Sequence, residues 1–216
     1  MIRLRFASLF LVLVCTGCLH APPNYPGGGG DNLDPRQYVD DACVDLSGRY
    51  EGKGEIVDGD PSALQVERTW RLDNVFPFAS REQFDSLSIA ARRPDGFKAL
   101  PEYGVVERKS DRTYSLSFAF PNGKTASLSP SFEDKGRFVC TGADGKIVWG
   151  GATEGARSEF GPNSSDSIEA LYLDSQGNLV LERGMQVHMS LRLFHIPVGT
   201  AKYFAVYRFR RLDIHH

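Results

Sequence analysis

The chain has 216 residues, with 25 Lys and Arg against 27 Asp and Glu and a formal net charge of −2. That length supports one domain with a sizeable core, and the near-balanced charge excludes a basic tract able to follow a phosphate backbone, so nucleic acid is not an expected partner. The run RFRRLDIHH near the C-terminus is basic but short, and reads as the exposed end of a last strand.

The first elements form a leader. Arg3 and Arg5 are followed by an apolar core from Phe6 to Val14 and by Cys15-Thr16-Gly17-Cys18. A bilayer-spanning helix needs about 20 apolar residues, and this core falls short of that; it has the size of an export signal's central region. The closing residues resemble the lipobox of bacterial lipoproteins. That resemblance implies a signal peptide over 1–17, cleavage after Gly17, and diacylglycerol and acyl chains carried by Cys18. The rival reading is ordinary signal cleavage after Ala21. With each buried CH₂ contributing about 0.8 kcal/mol, several chains on one residue amount to lasting membrane attachment. In Gram-negative lipoproteins Asp after the cysteine favours inner-membrane retention, so Leu19 points to the outer membrane, facing the periplasm. Loss of Arg3 and Arg5 with the leader makes the mature chain more negative by two charges.

Residues 18–40 read as a tether. APPNYPGGGGDNLDP, Ala21 to Pro35, is rich in Pro and Gly and has almost nothing to build a core from. As flexible chain it spans roughly 25 Å r.m.s.. Of the four cysteines, Cys15 leaves with the signal and Cys18 is lipidated. Cys43 and Cys140 remain, and an oxidising compartment pairs them. The alternative is two buried free thiols.

From Leu46 onward the pattern has period two. In ALQVERTWRLDN, Leu64, Val66, Trp70 and Leu72 share one parity; TYSLSFAF repeats it with Tyr114, Leu116, Phe118 and Phe120; QVHMSLRL does so with Val187, Met189, Leu191 and Leu193. Further strands are predicted at LSGRYEGKGE, RFVCT, KIVWG, SIEALYLD, NLVLER and KYFAVYRF. Turns are predicted at Asn122-Gly123, Asp144-Gly145 and Gly177-Asn178. In SREQFDSLSIAARR, Ser80 and Gln83 have capping-box spacing and Phe84, Leu87 and Ala91 would line one helical face, but Leu87, Ile89 and Ala91 also alternate, and a strand is favoured. Residues 41–216 therefore make one all-β domain, an antiparallel meander closing into a lipocalin-like barrel or a sandwich. Its wet faces carry Glu, Arg, Asp and Gln, which excludes a transmembrane barrel.

CVDLSGRYEGKG, FVCTGADGKIVW and YFAVYRFRR together resemble the start, middle and end of a group of uncharacterised proteobacterial lipoproteins that open C-x-D-L-S-G-x-Y. The opening is also faintly similar to lipocalins, with Tyr50 where they carry Trp.

No catalytic set and no metal or cofactor site is marked. His188 and His195 fall on opposite parities, and His20 lies in the tether; a shared metal would require a bulge or help from His215 and His216. Asp58 and Asp60 open a calcium-like run that lacks its central Gly and closing Glu. Glu133 and Asp134 read as a solvated turn. Trp70, Tyr114, Phe118, Phe120, Tyr172 and Tyr207 either line a cavity for a small apolar ligand or simply fill the core. Function is expected to be binding or structural, with an apolar molecule or an envelope protein as partner. The competing class is an envelope hydrolase using a long loop from Gly150 to Ser167.

Overall fold

The computed structural model describes residues 42–60, 66–78, 80–141, 145–158, 161–191 and 196–212. The leader, Cys15, Cys18, the tether, Leu64, His195, His215 and His216 lie outside them. The described residues are mostly strand, arranged as two antiparallel sheets. The smaller has the order β1-β4-β5-β6, from β1 (Gly48–Glu51), β4 (Tyr103–Arg108), β5 (Tyr114–Ala119) and β6 (Thr125–Leu128). The larger runs β3-β2-β11-β10-β9-β8-β7, from β2 (Lys53–Gly59), β3 (Thr69–Arg71), β7 (Phe138–Cys140), β8 (Ile147–Ser158), β9 (Gly161–Leu173), β10 (Leu179–Leu191) and β11 (Ile196–Phe209).

Alternation decides which side chains meet between the sheets. Tyr114, Leu116 and Phe118 of β5, Leu179 and Leu181 of β10, and Tyr207 and Phe209 of β11 are all buried in one shared core with Leu46, Tyr50 and Leu72. Successive side chains of a strand point to opposite faces, so the alternating residues of each strand are turned out of that core.

The meander comes close to a barrel and does not close among the described residues. On one side the sheets are stitched at a corner: Glu51 N–H donates to Arg210 O (2.9 Å), Leu212 N–H to Arg49 O (2.7 Å), and Tyr50 bridges Arg211. The chain changes sheet at Gly52, where a Cβ would stand 1.9 Å from the Pro101 carbonyl oxygen, so no side chain fits. On the other side β6 and β7, each the end strand of its sheet, do not pair with each other. The connection between them sends Phe132 inward, edge-on to Tyr114 (5.7 Å) and Phe138 (5.1 Å). A filled wedge, not a hydrogen-bonded ladder, closes that side, and the result is the two-sheet form of the expected all-β fold.

The disulfide expectation holds. Cys43 and Cys140 are bonded across 97 residues, both buried in the core, and fasten the start of the domain to β7. Beside the bridge, Tyr114 O–H donates to Val44 O.

Three expectations change. The segment taken as a strand is α1 (Arg81–Ala91). Ser80 caps it, accepting from Gln83 N–H at 3.4 Å, and the helix buries Leu87, Ala90 and Ala91 against β6. A strand would have grouped Leu87, Ile89 and Ala91 instead; in the helix Ile89 faces solvent. Of the predicted strand over 63–74, the described residues are strand at Thr69–Arg71, followed by a 3₁₀ turn (Leu72–Asn74). That turn buries Asp73, which accepts from Arg71 Nε (3.0 Å) and Nη2 (2.7 Å), while the same guanidinium donates to Ala99 O (2.6 Å). Lastly, the stretch from Gly150 to Ser167 is no long loop: β8 and β9 pair along it, from Gly150↔Ile168 to Ser158↔Gly161. The hydrolase reading loses the loop that was to carry it.

Candidate binding cleft

The core is filled where a hollow barrel interior would have been. Tyr114, Phe118, Phe120 and Tyr207 are each fully buried and packed among their neighbours. Burial pushes the Tyr50 and Tyr114 phenols up to about 12, and that of Tyr207 upward as well, so these rings stay neutral and act as packing groups. Their hydroxyls are satisfied by carbonyls: Tyr50 O–H donates to Leu46 O (2.9 Å) and Tyr207 O–H to Glu67 O (2.6 Å). Tyr172 lies on the opposite face of the large sheet, packed with Val180, Phe204 and Val206 and lying beneath Lys146, whose Nζ is 4.7 Å from the ring centre. The six aromatics therefore do not share one cavity.

Trp70 is the exception. It stands at the rim of a cleft of about 390 Å³ between the segment Asn74–Phe78 and the inner face of β8, β9 and β10. Trp149, Phe76 and Phe78 supply further aromatic wall, and Arg137, Glu169 and Arg183 supply charge. Trp70 packs on Tyr207 with centroids 5.4 Å apart. Its ring also lies under the Arg183 guanidinium at 4.1 Å, a cation–π contact. Arg183 pairs in register with Glu169 on the neighbouring strand and donates to its Oε1 at 3.1 Å. This charge pair sits on the parity that carries Leu179 and Leu181 in β10 and Leu171 and Leu173 in β9, the parity facing the core.

One polar atom in this wall is unsatisfied. Trp70 Nε1 is buried and has no hydrogen-bond partner. An indole N–H can only donate, and leaving a buried donor unpaired costs about 1–3 kcal/mol. The cleft thus offers flat apolar faces and a fixed ion pair. Its one carboxylate, Glu169, is already engaged by Arg183. That combination suits holding a molecule rather than moving its protons.

Sequence reasoning reached Trp70 and missed Trp149, Phe76, Phe78, Arg137, Glu169 and Arg183. The available signal was a charge on the apolar parity: Glu169 in SIEALYLD and Arg183 in NLVLER each interrupt an inward row. Elsewhere, His188 makes ring-nitrogen contacts with Thr200 Oγ1 (3.2 Å) and Gln186 Nε2 (3.3 Å). Asp58 accepts from Gly59 N–H, and Asp134 closes a turn to Gly136 N–H. Among the described residues no three His, Cys, Asp or Glu side chains gather as a metal site would require. Comparison with known proteins finds no matching family model, no matching curated protein and no matching solved structure.

Proposed function

We propose that this chain is an exported lipoprotein of the cell envelope, held by acyl chains on Cys18, whose β domain binds a small amphiphilic molecule in the Trp70 cleft. The observation that carries the binding half is a cleft walled by Trp70, Trp149, Phe76 and Phe78 and lined also by the Arg183–Glu169 ion pair. A ligand with a ring or chain for the aromatic faces and a polar group for the ion pair would fit both. Export is supported by the leader and lipobox pattern, by the likeness of the opening motif to proteobacterial lipoproteins, and by the Cys43–Cys140 bridge, since disulfides persist in oxidising compartments. Leu19 favours the outer membrane, with the domain in the periplasm.

The test is a thermal-shift screen of the purified protein against fatty acids, lysophospholipids and amphiphilic metabolites. A ligand at a hundred times its Kd stabilises the folded state by about 2.7 kcal/mol. Trp70→Ala removes one face of the aromatic wall, so it should abolish most of the shift for a ligand that stacks there. Equal shifts in both proteins, or none for any amphiphile, would reject the cleft. Intact-mass analysis of the native N-terminus tests the anchor separately.

A further inference from the structure

The large apolar side chains most exposed among the described residues are Val57, Phe84, Ile89 and Phe97, and three of these four fall on α1 and the hairpin that follows it. Phe97 is 73% exposed, Ile89 63% and Phe84 43%. Scattered singly, exposed apolar residues are ordinary; grouped on one projection, they mark a contact surface.

The projection is a built hairpin. Arg93 N–H donates to Phe97 O (2.9 Å) and Gly96 N–H to Arg93 O (3.0 Å), with Pro94, Asp95 and Gly96 forming the three-residue loop. Pro94 sets the first turn position, and Gly96 takes the left-handed conformation at φ 85° that ends it. Asp95 accepts from Phe97 N–H at 3.1 Å. The base is bolted to the domain. Ala99 N–H donates to Ala91 O (2.8 Å), Asn122 Nδ2 donates to Ala90 O (2.9 Å), and Arg71 holds Ala99 O. A rigid support that drives a phenylalanine into water is poor for the isolated domain, and becomes useful where water ends.

Charge selects the occupant. From Arg92 to Lys98 the hairpin carries Arg92, Arg93 and Lys98 against Asp95 alone, and Asp95 is engaged by Arg93 at 2.7 Å. Lys98 lies over the Phe84 ring at 4.8 Å and donates to Ser88 Oγ, so the cations and the aromatic rings occupy the same tip. Aromatic side chains among Arg and Lys fit the boundary of an anionic bilayer, rings at the level of the acyl-chain ends and cations among the phosphates. The geometry points to this tip as a bilayer-docking element: Phe97 enters the interface of a membrane containing anionic phospholipid, flanked by the cations of its own hairpin. Phe84, beneath Lys98, packs edge-on at 5.3 Å against Phe78, which lines the Trp70 cleft, so the hairpin's support is continuous with the cleft wall. The inference stands on the tip and does not depend on which ligand the cleft takes.

The experiment uses the full native chain in vesicles of phosphatidylethanolamine and phosphatidylglycerol, with and without brominated acyl chains. Phe97→Trp is compared with the parent, whose two tryptophans supply the background. Docking predicts a blue-shifted added emission that brominated lipid quenches, a loss of quenching as salt rises, and an unchanged melting temperature in buffer. Emission that stays water-like and unquenched in an acylated, membrane-held sample overturns the inference. If mass analysis shows no acyl chain, co-sedimentation with the same vesicles decides instead. Binding weakened ten-fold or more by Phe97→Ser keeps the tip and removes the anchor; no sedimentation, or none that depends on Phe97, removes the tip.

Discussion

Reduction of the Cys43–Cys140 bridge should cost this domain a large part of its stability. The two residues are 97 apart, and in the chain-entropy model a loop near a hundred residues lowers the entropy of the unfolded chain by an amount equivalent to about 4.7 kcal/mol at 25 °C. The figure is an upper bound where the unfolded chain retains structure. With a urea m-value of about 2 kcal/mol/M for a domain of this size, the midpoint should fall by roughly 2 M, and the slope should rise as the unfolded chain expands. Urea unfolding followed by tryptophan fluorescence, with and without reductant, gives both numbers. The paired variant Cys43→Ala with Cys140→Ala separates loop closure from reagent effects, and reductant should leave that variant unchanged. The kinetics supply a second check. If the unfolded state carries the effect, reduction should slow refolding to the extent that β7 and the start of the domain are already joined in the transition state. A midpoint that moves by less than 0.5 M, taken as roughly the scatter of such measurements, would refute the reasoning: the bridge would then report proximity without stabilising anything.

Trp70→Phe relieves a buried donor with no partner among the described residues but removes one ring of the indole, and with it packing on Tyr207 and part of the Arg183 contact, so the unliganded protein should lose about 1 kcal/mol, measured by urea midpoint. Arg71→Met strands the buried Asp73 carboxylate and frees the Ala99 carbonyl; a loss of about 3–5 kcal/mol is expected, and Arg71→Lys should recover only part of it. Ser80→Ala takes away the cap of α1 and should cost about 1 kcal/mol, visible as a lower thermal midpoint. Alkaline titration has a definite sign. Burial raises the Tyr50 and Tyr114 phenols from 10.0 to about 12, so the folded state holds these protons more tightly than the unfolded one. Their contribution is complete below pH 10 and lost as pH rises towards 12, with tyrosinate absorbance appearing together with unfolding. Ionisation that precedes unfolding would contradict the burial of both rings.

The parity of apolar residues in TYSLSFAF was readable because β5 has one face in the core, and a slip of one residue would turn that whole row outward. The disulfide was readable from the expectation that Cys15 leaves with a signal peptide and Cys18 is lipidated, which leaves one pair. The helix at Arg81–Ala91 was misread because Leu87, Ile89 and Ala91 satisfy period two, while the helical set Phe84, Leu87 and Ala91 shares two of those residues, and Ala90, which the helix buries, is a small residue with little weight in any pattern. The cap at Ser80 and Gln83 was the better guide. The hairpin of β8 and β9 was hidden by composition: GGATEGARSEFGPNSSDS has few β-branched or aromatic residues, and its strands are held by a long ladder to β10 that runs as far as His188↔Ser164. Tertiary pairing overrides local preference there. The cleft was only partly legible, because Phe76 and Phe78 belong to a turn whose placement follows from the buried Arg71–Asp73 pair.

The last strand has a consequence for biogenesis. β11 lies between β10 and β2 in the seven-stranded sheet, and the residues just beyond it stitch to β1 through Arg210 and Leu212. A growing polypeptide cannot assemble this sheet until residue 209 and its neighbours have emerged, because the central seat stays vacant until then. Until β11 emerges, β2 and β10 each lack the neighbour that lies between them, and the strands made earlier wait as two unjoined groups.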